Sequence, residues 1–151
     1  MRAGERGLVE LEFEPIEEKW NEYELLDENV YVRLRGRIIL LKVFRNPARK
    51  SEYSMRFHKV FVVSSPRKGV PMKPPTPAEI KHLEKYPVEI MSSREPWNIY
   101  RILQTGEIIR VKLIVADVYR VKGYYDAEGE PYYIIKSGPL ISKGVGKLPT
   151  A

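Results

Sequence analysis

The tetrapeptide Trp20-Asn21-Glu22-Tyr23 decides the predicted fold, because it returns later in the chain as Trp97-Asn98-Ile99-Tyr100. These two segments contain the only two tryptophans among the 151 residues. Three further pairs of similar segments keep the same order, at offsets of 77, 75 and 78: Leu11-Glu12-Phe13-Glu14 with Val88-Glu89-Ile90-Met91, Lys42-Val43-Phe44-Arg45 with Asp117-Val118-Tyr119-Arg120, and Val62-Val63-Ser64 with Leu140-Ile141-Ser142. Several matches in one order at a nearly constant offset indicate an internal duplication.

Apolar residues alternate with polar ones inside both copies, as expected of half-buried strands. In the first copy, Val32 and Leu34 alternate with Arg33 and Arg35. The sequence therefore predicts an all-β protein built from two small β-barrel-like units of OB or SH3 size, each with about five short strands. The two units either lie side by side or close on each other with pseudo-twofold symmetry.

Prolines mark the boundary between the two copies. Thr76 is a predicted helix N-cap, followed by Pro77 at the first helical position and Glu79 at the third, which suits a capping box. A short helix over about 77–85 is expected to end before Pro87. The predicted organisation is an N-terminal tail (1–8), a basic β repeat 1 (9–71), a proline-rich linker (72–86) and a tyrosine-rich β repeat 2 (87–151).

The composition excludes several classes of function. The chain has no cysteine, so it forms no disulfide and uses no thiol chemistry. Its histidines, His58 and His82, have no partner at ligand spacing, and no cofactor, metal or catalytic group is expected. No apolar run reaches about 18 residues, and no signal-peptide pattern is visible, so we expect a cytoplasmic protein without a membrane partner. Abundant charge and few amides are typical of thermophile proteins.

The positive charge of the chain is concentrated in repeat 1. Residues 30–73 contain twelve basic residues and one acidic residue, a net charge of +11, whereas residues 1–29 carry −7 and residues 74–151 carry +2. A basic segment of this kind predicts an anionic partner.

Arginines at every second position form the sharpest candidate site. Arg33, Arg35 and Arg37 point to one face if this segment is a strand, and Tyr31 shares that face. Guanidinium groups bind phosphate and stack on bases, so the pattern predicts binding of DNA or RNA without catalysis. The predicted nucleic-acid-binding residues are Tyr31, Arg33, Arg35, Arg37, Lys42, Arg45, Arg56, Lys59, Arg67 and Lys68.

Two alternatives accompany this hypothesis. The arginines can instead pair with glutamates of the acidic segment across neighbouring strands, as charges on an ordinary outer face do. The protein would then be a structural or assembly subunit whose basic face meets an acidic protein partner or another copy in a homo-oligomer. The tryptophans are either base-stacking platforms or, as is more common for a repeated tryptophan, part of the core.

Overall fold

A computed structural model describes residues 7–145, which form nine strands and one short helix. The beginning of the predicted tail and the last residues of repeat 2 lie outside these described residues. The elements are β1 (Val9–Leu11), β2 (Phe13–Glu17), β3 (Asn21–Asp27), β4 (Val30–Asn46), β5 (Arg49–Ser64), α1 (Pro77–Ile80), β6 (Lys85–Arg94), β7 (Asn98–Ile102), β8 (Glu107–Tyr125) and β9 (Pro131–Val145).

The all-β prediction is confirmed, but four of the nine strands are much longer than the short strands predicted. Strands β4 and β5 have 17 and 16 residues, and β8 and β9 have 19 and 15. Each pair forms one long antiparallel hairpin, because tight turns join them at Pro47-Ala48 and around Gly129. Gly129 has a φ of 80°, a conformation that favours glycine.

One antiparallel sheet runs through the described residues in the order β1-β4-β3-β6-β8-β7-β2, with β5 added to β4 and β9 added to β8. Strands β1 and β2, at the two ends of this path, are consecutive in the chain and are separated only by Glu12. One N-terminal segment therefore pairs with β4 through its first part and with β7 through its second.

Strand registers in the two halves of the chain correspond to each other. We refer to residues 9–71 as the N-terminal half and to residues 85–145 as the C-terminal half. Tyr23 lies opposite Leu34 in β3–β4, and Tyr100 lies opposite Ile109 in β7–β8. Irregular positions also correspond, since β4 is bulged at Leu41 and β8 at Ala116. These positions differ by 77 on β3 and β7 and by 75 on β4 and β8, as do the matching sequence segments.

Two core clusters fill the molecule, and both halves contribute to each. The first contains Leu11, Ile38, Leu40 and Val43 with Tyr100, Ile102, Ile109, Val111 and Leu113. The second contains Tyr23, Leu25, Val32 and Leu34 with Val88, Val115, Val118 and Tyr133. Among the described residues neither half has a core of its own, so the halves depend on each other for burial of apolar surface.

Reciprocal hydrogen bonds tie the halves together beside these cores. The Tyr23 hydroxyl donates to Glu95 at 2.7 Å, and the Tyr100 hydroxyl donates to Glu18 at 2.6 Å. Burial, together with the neighbouring carboxylate in each case, raises the pKa of both phenols above the ordinary tyrosine range. The sequence distance between the two tyrosines equals that between the two glutamates.

Two buried asparagines make a second reciprocal tie. The Asn21 amide nitrogen donates to the Leu113 carbonyl at 2.7 Å, and the Asn98 amide nitrogen donates to the Ile38 carbonyl at 3.0 Å. Asn98 also accepts from the Lys19 backbone N–H at 2.8 Å. Both asparagines are only 2% exposed, so these bonds satisfy polar groups that water does not reach.

The linker helix is shorter than predicted. Thr76 and Glu79 form the expected capping box, but α1 ends at Ile80 rather than near Lys85. Lys85 is already extended, because it pairs with Val121 of β8. Pairing with the sheet thus ends the helix before the proline does. No helix among residues 7–145 has the length and apolar character needed to cross a membrane.

The stretch before this helix packs against the turn between β8 and β9. The Gly69 N–H donates to the Gly129 carbonyl at 2.8 Å, and the Met72 N–H donates to the Asp126 carbonyl at 3.1 Å. A Cβ at Gly69 would lie 2.5 Å from the Tyr125 ring, so this contact requires glycine. The linker is therefore docked onto the C-terminal half.

Candidate nucleic-acid interface

The predicted arginine stripe lies on the outer face of β4. Val32 and Leu34 are buried in the core, whereas Tyr31 and Arg33, which alternate with them, are exposed. Arg35 and Arg37 continue the outward side as half-buried residues. The two-residue period of a strand therefore brings four of the predicted site residues onto one surface.

Acidic side chains of the N-terminal segment contact two of these arginines. Arg33 donates to Glu22 at 2.9 Å, and Arg37 donates to Glu18 at 3.2 Å. Glu22 lies on β3, where it is directly opposite Arg35. The ion pairing described above as the alternative is thus present, although the Arg33 side chain remains 64% exposed.

Trp20 lies against the guanidinium groups of Arg35 and Arg37. Its ring centre is 4.5 Å from Arg35 and 5.7 Å from Arg37. Trp20 is half-buried and belongs to neither core cluster, so the expectation that the tryptophans are core residues is wrong. Cation–π stacking holds the ring beside the arginine stripe, and part of the ring reaches solvent.

Glu22 joins the arginine stripe to a neighbouring strand. Its Oε1 accepts from Arg33, and its Oε2 accepts from Arg94 of β6 at 3.0 Å. The hydrogen bond from Arg33, and then the charge of Arg94, lower the pKa of the Glu22 carboxyl below its ordinary value. Glu22 is thus a carboxylate held between two exposed guanidinium groups, an arrangement that an incoming phosphate can also make.

Two cavities open on this surface and share Glu22 and Arg94. The first, of about 450 Å³, is lined by Arg33, Ser92 and Ser93, among others. The second, also of about 450 Å³, contains Trp20 and Pro96. We call the combined depression the Trp20 trough; its principal residues are Lys19, Trp20, Glu22, Arg33, Arg35, Ser92, Ser93, Arg94 and Pro96.

The charge of the trough is positive. Its lining includes four basic residues, namely Lys19, Arg33, Arg35 and Arg94, and two acidic residues, Glu22 and Glu24. The backbone at Arg94 is held in place through the next residue, Glu95. The Glu95 carboxylate accepts hydrogen bonds from the Tyr23 hydroxyl at 2.7 Å and from the Val115 N–H at 2.9 Å. A fixed backbone that carries exposed guanidinium groups is suited to binding an anion.

Of the ten predicted residues, only Arg33 and Arg35 line the trough. Tyr31 and Arg37 lie on the same face of β4 outside this lining, and the other six residues lie elsewhere. Lys42 and Arg56 lie opposite each other beyond the bulge at Leu41. Arg45 lies opposite Tyr53 near the first core, and Lys59 donates to Ser137 of β9 at 3.2 Å.

The last two predicted residues follow β5, at the end of repeat 1. Arg67 is 3.9 Å from Glu28, and Lys68 forms an ion pair with Glu130. Strand alternation, the bulge and the turn after β5 therefore distribute the basic charges of repeat 1 over several surfaces.

Sequence reasoning missed Lys19, Arg94 and the two serines of the trough. Arg94 and the serines come from β6, which pairs with β3 across the two halves. No local pattern predicts that pairing. The only available signal was the equivalence of the two tryptophan motifs, which marks Lys19 and Trp20 as neighbours of a structurally important position.

The corresponding surface of the C-terminal half has different chemistry. Trp97 lies 4.9 Å from Arg110 and 4.7 Å from Lys112, so its cation–π stacking resembles that of Trp20. Next to it, Ile99 lies opposite Arg110 and is buried. We call these four residues the Trp97 surface. An apolar residue there takes the position that Glu22 holds beside Arg35.

A second cluster of polar residues lies near the end of the second core. Asp27 is 5% exposed and accepts from the hydroxyls of Tyr133 and Tyr86 at 2.6 and 2.9 Å, and from Arg120 at 3.2 Å. Burial and then the hydrogen bond to Asp27 raise the pKa of both tyrosines. Every donor is directed at one carboxylate, so the cluster acts as a structural cap.

The described residues contain no group of three histidines or carboxylates arranged to hold a metal ion. Searches against protein-family models, curated proteins and solved structures find no match to this chain.

Proposed function

We propose that the protein binds nucleic acid, without catalysis, at the Trp20 trough. The observation that carries the proposal is the combination of a half-buried Trp20 with the exposed guanidinium groups of Arg33 and Arg94 around one depression. Arginine neutralises phosphate and an aromatic ring offers a stacking surface, which together form the usual basis of sequence-tolerant binding.

Binding to fluorescently labelled DNA and RNA oligonucleotides tests this proposal. Affinity measured by anisotropy at about 50 mM salt should fall steeply as salt increases, because phosphate contacts release counterions. The variant Arg33→Gln/Arg94→Gln should bind at least about tenfold more weakly and show a shallower salt dependence.

A matched variant provides the control. Arg101→Gln/Lys122→Gln removes the same charge from exposed residues, each of which contacts one glutamate elsewhere on the molecule. This control should retain most of the affinity. Equal loss in both variants would indicate a general charge effect, and absence of binding at low salt would refute the proposal.

A second candidate function is assembly through the edge of β5. Within the described sheet β5 pairs only with β4, and residues 49–64 contain no proline or glycine to interrupt further pairing. Val62 on this strand is 46% exposed. Light scattering after size exclusion should then detect a discrete oligomer that Val62→Lys dissociates, whereas a monomer at high concentration would exclude self-assembly.

We also infer that the two halves are duplicated units, related by a pseudo-twofold axis, that close one shared barrel. The reciprocal bonds of Tyr23 with Glu95 and of Tyr100 with Glu18 support the symmetry. The pairing of consecutive strands β1 and β2 with β4 and β7 supports the closure. If this is correct, equivalent substitutions in the two halves cost similar stability.

A further inference from the structure

The two cavities of the Trp20 trough offer different chemistry to a ligand. The cavity that contains Trp20 and Pro96 also has four charged residues in its lining, so the indole ring is what sets it apart as a surface for stacking. The other cavity has Arg33 and Ser92, and Ser92 lies on the same side of β6 as Arg94. A nucleotide can use both cavities, with its flat base on the ring and its charged phosphate on the guanidinium groups.

The two cavities are neighbours that share Arg94, as the base and the phosphate of one nucleotide are neighbours. Arg94 lines both cavities and is 73% exposed on its side chain, so its guanidinium group is available to either end of a ligand. Each cavity, at about 450 Å³, falls within the ordinary range for small-ligand sites. A ligand that occupies both cavities therefore has Arg94 in reach throughout.

The position of Trp20 determines which form of nucleic acid fits. The ring lies beside a depression and is held by Arg35 and Arg37. It would lose these contacts if it moved out of the depression, so a base must enter the depression to stack on it. Bases in a duplex have their faces covered by their neighbours, whereas bases of a single strand turn outward and stack on aromatic side chains.

Building on the proposed function, we propose that the ligand is single-stranded nucleic acid, with one base in the Trp20 and Pro96 cavity. The adjoining phosphate binds Arg33, Arg94 and the Ser92 hydroxyl. The phosphate takes the place of the Glu22 carboxylate between the two arginines. Duplex is bound only through general electrostatic attraction.

The two tryptophans make this inference directly measurable. In Trp97→Phe the only tryptophan left is Trp20, and in Trp20→Phe the only one left is Trp97. A single-stranded DNA or RNA oligonucleotide should quench the fluorescence of Trp97→Phe as it binds. The same oligonucleotide annealed to its complement should not quench it, and neither form should quench Trp20→Phe.

Affinity provides a second readout. Trp20→Leu should weaken single-strand binding by about fivefold or more and leave duplex binding within about twofold, since one stacked base is lost. Trp97→Leu is the control and should leave both affinities unchanged. Thermal unfolding of each variant shows whether it is folded, and the fluorescence of Trp97→Phe tests the inference if Trp20→Leu is not.

The possible outcomes separate the two proposals. Single-strand preference with quenching of Trp20 supports the inference. Equal binding of single strand and duplex, or tight binding without quenching, overturns it and leaves the proposed function standing. Failure to bind either form overturns both.

Discussion

The Trp20 trough and the Trp97 surface share a scaffold and differ in what they present to solvent. In each, two cationic side chains lie over an indole ring within 6 Å of its centre. Around Trp20 the neighbouring positions are charged and exposed, including Arg33, whereas Ile108 at the corresponding position near Trp97 is 1% exposed. The tryptophan with its stacked cations is therefore common to both surfaces, and the proposed binding would depend on the residues around it.

The strand paired with each surface adds to the contrast. Beside the trough, Arg94 of β6 lies opposite Glu22, whereas Glu17 of β2 lies opposite Ile99 beside the Trp97 surface. The same strand arrangement thus delivers a cation to one site and a carboxylate to the other. An anionic ligand would be attracted to the first surface and repelled from the second.

The largest expected effect is on the pH dependence of folding stability. It tests whether the Tyr23–Glu95 and Tyr100–Glu18 hydrogen bonds are equivalent. Tyr23, Tyr86, Tyr100 and Tyr133 all have a pKa raised by burial above the ordinary value of 10.0, so the folded state favours the neutral phenol. Above about pH 10 the unfolded chain loses these protons first, and folding stability decreases. The loss should be on the order of 1 kcal/mol per pH unit for each tyrosine that stays neutral in the folded state, and several kcal/mol in all.

Urea denaturation between about pH 8 and pH 11 measures this dependence. Tyr23→Phe and Tyr100→Phe each remove one titrating group and should flatten the curve by the same amount. Stability that stays constant through pH 11 would contradict the expectation, and flattening by only one variant would show that the two ties are not equivalent.

A somewhat smaller effect concerns the two buried asparagines. Asn21→Ala and Asn98→Ala should each lower the free energy of unfolding by about 2 to 4 kcal/mol, because each leaves buried backbone or hydroxyl groups without a partner. Chemical denaturation of both variants provides the measurement. Costs that differ by more than about 2 kcal/mol would show that the two halves do not share this tie.

The segment around Gly69 packs against the turn between β8 and β9. The described residues show no such contact on the N-terminal half, so this packing distinguishes the two halves. Gly69→Ala should destabilise the protein by about 1 to 3 kcal/mol, because its Cβ would overlap the Tyr125 ring. Gly138→Ala is the control, with no atom within 4 Å of the added Cβ. A Gly69→Ala variant as stable as this control would show that the linker contact adds nothing to folding.

The smallest expected effect is a gain of binding. Glu22→Gln removes the carboxylate that competes with phosphate for Arg33 and Arg94, and it should strengthen nucleic-acid binding by about threefold. Glu14→Gln releases Arg101, which is outside the lining of the trough, and should have no effect. Anisotropy at one fixed salt concentration compares the two. Weaker binding by Glu22→Gln would mean that this glutamate itself contacts the ligand.

Some of the fold was readable from local pattern. The alternation around Val32 and Leu34 predicted the outward direction of Arg33 and Arg35 correctly, since a strand turns successive side chains to opposite faces. The capping box at Thr76 was also correct, because it involves only neighbouring residues. The end of α1 was not, because Lys85 is drawn into pairing with β8.

Sequence by itself determined the strand faces, the equivalence of the Trp20 and Trp97 motifs, and the excess of positive charge in residues 30–73. Tertiary structure alone decided that Arg94 completes the trough and that Arg45, Lys59, Arg67 and Lys68 do not join it. The physical reason is the sequence distance over which each interaction acts. Alternation and capping act between residues a few positions apart, whereas the trough depends on pairing between β3 and β6, which only burial of the shared cores brings together.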